Sequence, residues 1–198
     1  MSDPIILASK SAARRAVLEG AGVPFESVVA GVDEDAVKGS LLAEGATPRD
    51  IADTLAELKA IRVSRRRQGF VIGSDQTLEL DGRLYDKADS VEAARERLKL
   101  LRGKPHKLHS AVVVAKDGTP IWREVVTCTL TMREFSDDFL EAYLASEGEQ
   151  ALGSVGCYRL EGPGAQLFVR IEGDYFAILG LPLMGLLDLL RRHGALAA

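Results

Sequence analysis

Several stretches of this chain hold residues with chemistry to offer. In LASKSAARRAVLEGAG, residues 7–22, an apolar strand runs into Ser9, Ser11 and Arg14 just where a helix should begin. Free backbone N–H groups and the partial positive charge of a helix N-terminus make such a junction an anion site, and Arg14, one turn in, can add a bidentate guanidinium. The plainer alternative is an N-cap serine followed by a solvated basic face. Asp75 follows the apolar run FVIG at the strand end where α/β proteins place ligand groups, although it could equally close a turn. Lys59, Lys87, Asp33 and Glu34 are each, singly, ordinary surface charges. Taken together, two serines, an arginine, two lysines and several carboxylates are the parts of a site for a magnesium-bound polyphosphate.

Such a site needs a scaffold to hold it. The 198 residues are 46% hydrophobic and 27% charged, enough apolar material for one sizeable core and against disorder. A net charge of -4 argues against a general nucleic-acid coat, so any polyanion must be met locally. Cys128 and Cys157 lie far apart without metal-type spacing, and no apolar run reaches membrane-span length. The expectation is a cytoplasmic protein with no membrane and no nucleic-acid partner.

Strand-like runs alternate with helical patterns, which points to an α/β class. IILAS at 5–9 reads as a strand, residues 11–21 as a helix, and PFESVVAGV as a second strand ending at the acidic cluster 33–35. Thr47 and Pro48 open a helix that carries Lys59 near its middle. FVIG then gives a strand, a polar break at 73–76 and a hairpin about Asp81-Gly82. A helix at 90–101 precedes a three-strand meander with turns at Asp117-Gly118 and around Arg123. Ser136 caps a further helix, and FAILGLPLMGLLDLL reads as a buried strand, a turn and a last helix. One domain, 1–198, with two lobes about a cleft is expected.

LASKSAARRAVLE, Asp33-Glu34, LKA at 58–60, IGSDQ at 72–76, DGRLYDK at 81–87, LRGKPH at 101–106, VGCYRLEGPGAQLF and EGDYFAILGLPL occur in this order along nearly the whole chain. In them the chain resembles the Maf, or septum-formation-protein-like, nucleotide pyrophosphatases. The resemblance implies an elongated mixed sheet with flanking helices and a central cleft, like that of the inosine triphosphate pyrophosphatases. It also implies hydrolysis of nucleoside triphosphates to monophosphate and pyrophosphate with Mg²⁺ or Mn²⁺. Carried over, Ser9, Ser11 and Arg14 hold the triphosphate, and Lys59 and Lys87 pair with phosphate oxygens. Asp75 is base or metal carboxylate, helped by Asp33 or Glu34. His106 fits a family motif and reads as a structural histidine.

Many members have arginine, threonine and glutamine where this chain has Ala13, Gln76 and Glu161, positions in the base-specificity set of members that prefer dTTP and UTP. A carboxylate only accepts hydrogen bonds, so Glu161 suits the adjacent donors of guanine, and cationic 7-methylguanine better still. Gln76 and Glu161 resemble the 7-methyl-GTP branch, whereas Ala13 stands where that branch can carry an aromatic residue. A dTTP- or UTP-preferring enzyme and a non-hydrolytic regulator of division are the alternatives, and the resemblance raises a homodimer. A nucleic-acid module built on SRRRQG at 64–69 has no aromatic stripe to support it.

Overall fold

The computed structural model describes residues 3–197. In chain order the elements are β1 (Ile5–Leu7), α1 (Ala12–Gly20), β2 (Glu26–Ser27), α2 (Glu34–Ala43), α3 (Pro48–Ser64), β3 (Phe70–Leu80), β4 (Arg83–Tyr85) and α4 (Val91–Leu101). There follow β5 (Pro105–Lys116), β6 (Thr119–Met132), α5 (Asp137–Glu147), two 3₁₀ turns (Gly148–Gly153 and Pro163–Leu167), β7 (Phe168–Glu172), α6 (Tyr175–Ile178) and α7 (Leu183–Arg192). The seven strands make one mixed sheet, ordered β2-β1-β3-β5-β6-β7, with β4 attached to β3. This is the α/β class that the sequence pattern predicts and the mixed sheet that the resemblance implies. No helix among the described residues is long and apolar enough to cross a membrane.

Local sequence explains the connections. Asp81-Gly82 and Asp117-Gly118 both have positive φ at each residue, the two-residue turn whose twist matches a hairpin. Thr47 and Asp50 form a reciprocal capping box with Pro48 in the first turn, so α3 starts where expected. Ser90 and Ser136 each cap a helix, α4 and α5, through the side-chain oxygen.

Four readings of local structure need correction. The polar break at 73–76 is no break, because β3 runs through it, paired with β5 from Val71 to Glu79. Arg123 makes no turn; it lies inside β6 opposite Val113, so the meander is a long hairpin followed, after α5, by β7. The strand read in PFESVVAGV is only Glu26–Ser27, and the acidic cluster after it opens helix α2. The strand read in FAIL is the short helix α6, whose Ala177 N–H donates to the Asp174 carboxylate at 2.7 Å.

The pairing of β3 makes room for a site. Along one edge β1 covers residues 70–72 and β4 covers residues 78–80, whereas the opposite edge is continuously paired with β5. Between these partners, residues 73–77 face an opening on that edge. Helix α3 closes one side of it. Its stripe of Ala52, Ala56 and Ala60 packs against Ala111, Val113 and Ala115, small residues that allow helix and sheet to approach closely. At Gly73 the approach leaves no space, since a Cβ would lie 2.1 Å from the Ala56 carbonyl oxygen and 2.6 Å from the Ala60 nitrogen.

Gly73→Ala should therefore push α3 off β3 and cost about 3 kcal/mol, the upper range for overpacking. Denaturant unfolding measures this, and a stability equal to wild type would show that helix and strand are not locked there.

Candidate active site

The opening beside β3 is the floor of a cavity of about 1190 Å³, lined from α1 and the segment that joins it to β1 on one side, α2 and α3 on another, and the loop after α5 on a third. Ser9, Ser11, Arg14, Lys59, Asp75, Gln76, Lys87, Glu34, Ala13 and Glu161 all line it. Asp33 does not. It is exposed, and its carboxylate accepts the Ala36 N–H at 3.1 Å as the N-cap of α2.

At the anion end, Ser11 caps α1 by accepting the Arg14 N–H, and Ser9 Oγ accepts from the Ser11 N–H and from Arg14 Nη1, each at 3.2 Å. Arg14 is buried, and its Nε donates to the Gly180 carbonyl at 2.8 Å. Burial lowers the Arg14 pKa, while Asp75 and Glu34 act to raise it. The first-turn N–H groups of Ala12 and Ala13 have no partner within the helix and remain available to an anion.

In the cleft wall, Lys59 Nζ bridges two carboxylates, donating to Asp75 Oδ1 at 2.6 Å and lying 2.8 Å from Glu34 Oε1. Burial opposes the Glu34 charge, but its hydrogen bond and charge pairing with Lys59 prevail and hold its pKa below the ordinary value. Desolvation by the cleft walls, then the Arg14 charge, lowers the Lys87 pKa although its side chain remains open to solvent. Lys38 of α2 meets Asp86 at 2.6 Å across the rim.

Strand alternation sends Gln76 to the sheet face opposite Asp75. Its amide nitrogen donates to Ser110 Oγ at 2.8 Å and to the carbonyls of Ala177 and Ile178 at 3.0 Å, which fixes the amide's orientation and uses up its donors. Only the carbonyl oxygen of Gln76 is left to meet a ligand. Glu161 and Ala13 border both the main cavity and an adjoining apolar pocket of about 320 Å³ lined by Val17, Phe176 and Leu183. His106 lies outside the cavity lining and supports the loop that carries Glu161, sharing a 2.7 Å hydrogen bond with the buried Tyr158 hydroxyl.

Sequence reasoning missed the carbonyls of Ala177, Ile178 and Gly180, which orient Gln76 and Arg14. A backbone carbonyl leaves no mark in a side-chain pattern. The Lys38–Asp86 pair was also missed, because it depends on a helix, α2, that the sequence reading did not contain.

The geometry is that of an α/β protein with a cleft in which Arg14, Lys59 and Lys87 lie together with Glu34 and Asp75. The chain belongs to the Maf-like protein family, whose pattern it matches over residues 4–193. It is 64% identical over 193 residues to a nucleoside triphosphate pyrophosphatase of Caulobacter vibrioides, covering 98% of this chain and 97% of that one. It is 58% identical over 193 residues to a protein of the same name from Granulibacter bethesdensis, covering 97% and 98%. A 7-methyl-GTP pyrophosphatase of Brucella abortus biovar 1 is 49% identical over 194 residues, with 98% of each chain covered.

Burial drops the His106 pKa from 6.5 to about 4. Between those values the unfolded chain binds a proton at this histidine that the folded chain refuses, so stability falls as pH drops through the window, by about 3 kcal/mol in all. Above pH 6.5 the histidine is neutral in both states and adds no slope. Urea unfolding from pH 7 to 4 should show wild type losing more stability than His106→Gln, and parallel curves would remove this histidine from the acid response.

Proposed function

We propose that the protein hydrolyses the α-β phosphoanhydride of nucleoside triphosphates, releasing the monophosphate and pyrophosphate, with a guanine-type base preferred and 7-methyl-GTP first. The observation that carries the reading is the meeting, in one cleft, of the α1 N-terminus with Arg14 and of the Lys59 bridge between Glu34 and Asp75. The pyrophosphatases among its relatives support it.

Ser11, the first-turn N–H groups of α1 and Arg14 bind the phosphates, and the Gly180 carbonyl aims the guanidinium. Lys59 and Lys87 neutralise charge that builds up on the departing pyrophosphate. Asp75 Oδ1 is committed to Lys59, and its Oδ2 takes no hydrogen bond from another described side chain. Oδ2 is therefore the free atom of Asp75, open either to the proton of an in-line water or to a divalent metal.

Glu34 and Asp75 fit a divalent metal as a pair. No group of three metal-ligating side chains exists among the described residues, which suits Mg²⁺ or Mn²⁺ held by two carboxylates together with water and substrate phosphates. When bound, such an ion supplies charge neutralisation at the phosphate oxygens. Asp33, committed to the α2 cap, is left out of this set.

The base reading rests on two acceptors. With its amide donors occupied, Gln76 presents an oxygen, and Glu161 presents a carboxylate. Guanine offers two adjacent donors on its Watson–Crick edge, whereas uracil and thymine offer one donor between two acceptors. Relatives named for 7-methyl-GTP support the assignment.

Pyrophosphate release with Mg²⁺ or Mn²⁺ across 7-methyl-GTP, GTP, UTP, dTTP, CTP and ATP tests both parts. Asp75→Asn should abolish turnover with the fold kept, and turnover near wild type would remove Asp75 from the mechanism. Glu161→Gln should lower kcat/KM for 7-methyl-GTP relative to UTP by about tenfold, since one charge-assisted hydrogen bond becomes neutral. An unchanged ranking would refute the base assignment.

A further inference from the structure

The loop that carries Glu161 also carries a cation shared between two acids. Arg159 Nε lies 3.6 Å from Glu161 Oε1 and 3.7 Å from Glu147 Oε2, beyond hydrogen-bond distance of either. The two acids differ sharply in surroundings. The Glu161 side chain is 37% exposed on the cleft, whereas that of Glu147, the last residue of α5, is 6% exposed. Glu147 Oε2 is buried with no hydrogen-bond partner, and Arg159 is its counter-charge.

The backbone around Arg159 leaves this arrangement little freedom. A Cβ at Gly164 would lie 2.5 Å from the Arg159 carbonyl oxygen and 2.8 Å from its nitrogen, so the loop closes directly over it. Two residues earlier, Cys157 holds the left-handed conformation, φ 59°. A Cβ at Gly162 would lie 3.7 Å from both Arg159 Nη2 and Glu147 Oε1, which places the pair together above that glycine.

A buried carboxylate with no hydrogen bond is costly unless a cation stays beside it. Here the only cation within 4.0 Å, among the described residues, is one that could otherwise settle on Glu161. We infer that Glu147 is a positioning residue for base selection: by sharing the Arg159 guanidinium, which lies equally near both acids, it keeps Arg159 from pairing fully with Glu161 and so leaves on Glu161 part of the negative charge that a cationic base requires. The inference rests on the reading of Glu161 as a base acceptor. One cation shared by two acids leaves the group of three with one net negative charge, and Glu161 is the member of it that faces the cleft. Without Glu147, Arg159 pairs with Glu161, occupies its oxygen and opposes a positively charged ring.

The test compares kcat/KM for 7-methyl-GTP with that for GTP, two substrates with the same triphosphate, in wild type and four variants. Glu147→Gln, which keeps the shape and removes the charge, should reduce the 7-methyl-GTP to GTP ratio by about tenfold, chiefly through KM. Arg159→Gln should raise the ratio, and the double variant Glu147→Gln/Arg159→Gln should bring it back to wild type or above. A merely structural Glu147 would lower both substrates together and would not be rescued by removing its partner. Should Glu147→Gln fail to fold, as judged by thermal melting, Arg159→Gln still decides by sign: a fall or no change overturns the inference. Glu161→Gln separates the two levels. If it shifts the ratio while Glu147→Gln does not, the positioning role is wrong and the base assignment stands; if it leaves the ratio unmoved, both are wrong.

Discussion

A buried ammonium held between two carboxylates is the interaction on which the rest of this molecule turns. The side chains of Lys59 and Asp75 are only 7% and 9% exposed, and an unpaired charge so placed would cost several kcal/mol. Each element around the pair is fixed by the need to satisfy it. Helix α3 must lie flush on the sheet for Lys59 to reach Asp75, which requires the alanine stripe and the bare Gly73. Helix α2 must start where it does for Glu34 to close the other side. The same geometry turns a stabilising contact toward the cavity, because Lys59 and both of its carboxylate partners line it.

The sheet itself divides the work. Asp75 and Gln76 are neighbours in β3, and alternation sends one toward α3 and the other toward α6. In a fully paired strand these two side chains would serve opposite faces and never meet one ligand. Because β1 stops beside Ile72 and β4 reaches back only to Leu78, the edge between them is open, and groups from both faces reach one cavity. The short strands at this edge are therefore a condition for the site.

Much of this was legible in the sequence, for reasons that are local. Turns with Asp-Gly, the capping box at Thr47 and serine caps act within four residues, and the strand-to-helix junction at Ser9 to Arg14 was readable for the same cause. What failed was decided at long range. GSDQ looks like a break because its polar residues suit no core, yet Ser74 bonds the Gly180 carbonyl, Gln76 bonds the carbonyls of α6, and β5 pairs with the whole stretch. FAIL has strand composition, but Asp174 behind it and Gly180 beyond it allow only one helical turn. Asp33 and Glu34 read as equals, and only the start of α2 between them makes one a cap and the other a cleft residue.

The same distinction bears on the proposed base selection. The family motifs identify Gln76, but its chemistry depends on which end of the amide faces the ligand, and that is set by carbonyls a hundred residues away. With its amide donors held by those carbonyls, Gln76 keeps its oxygen as a free acceptor, and on the proposed reading it and Glu161 present an edge of two acceptors to the base. On the proposed reading such an edge works twice over. It accepts from both donors of guanine, and it sets an oxygen against a carbonyl oxygen of uracil or thymine, so that the wrong base is repelled as well as unrewarded. Relatives near half identity carry two different names, nucleoside triphosphate pyrophosphatase and 7-methyl-GTP pyrophosphatase. On that reading, selectivity lies in the orientation and charge of a few side chains.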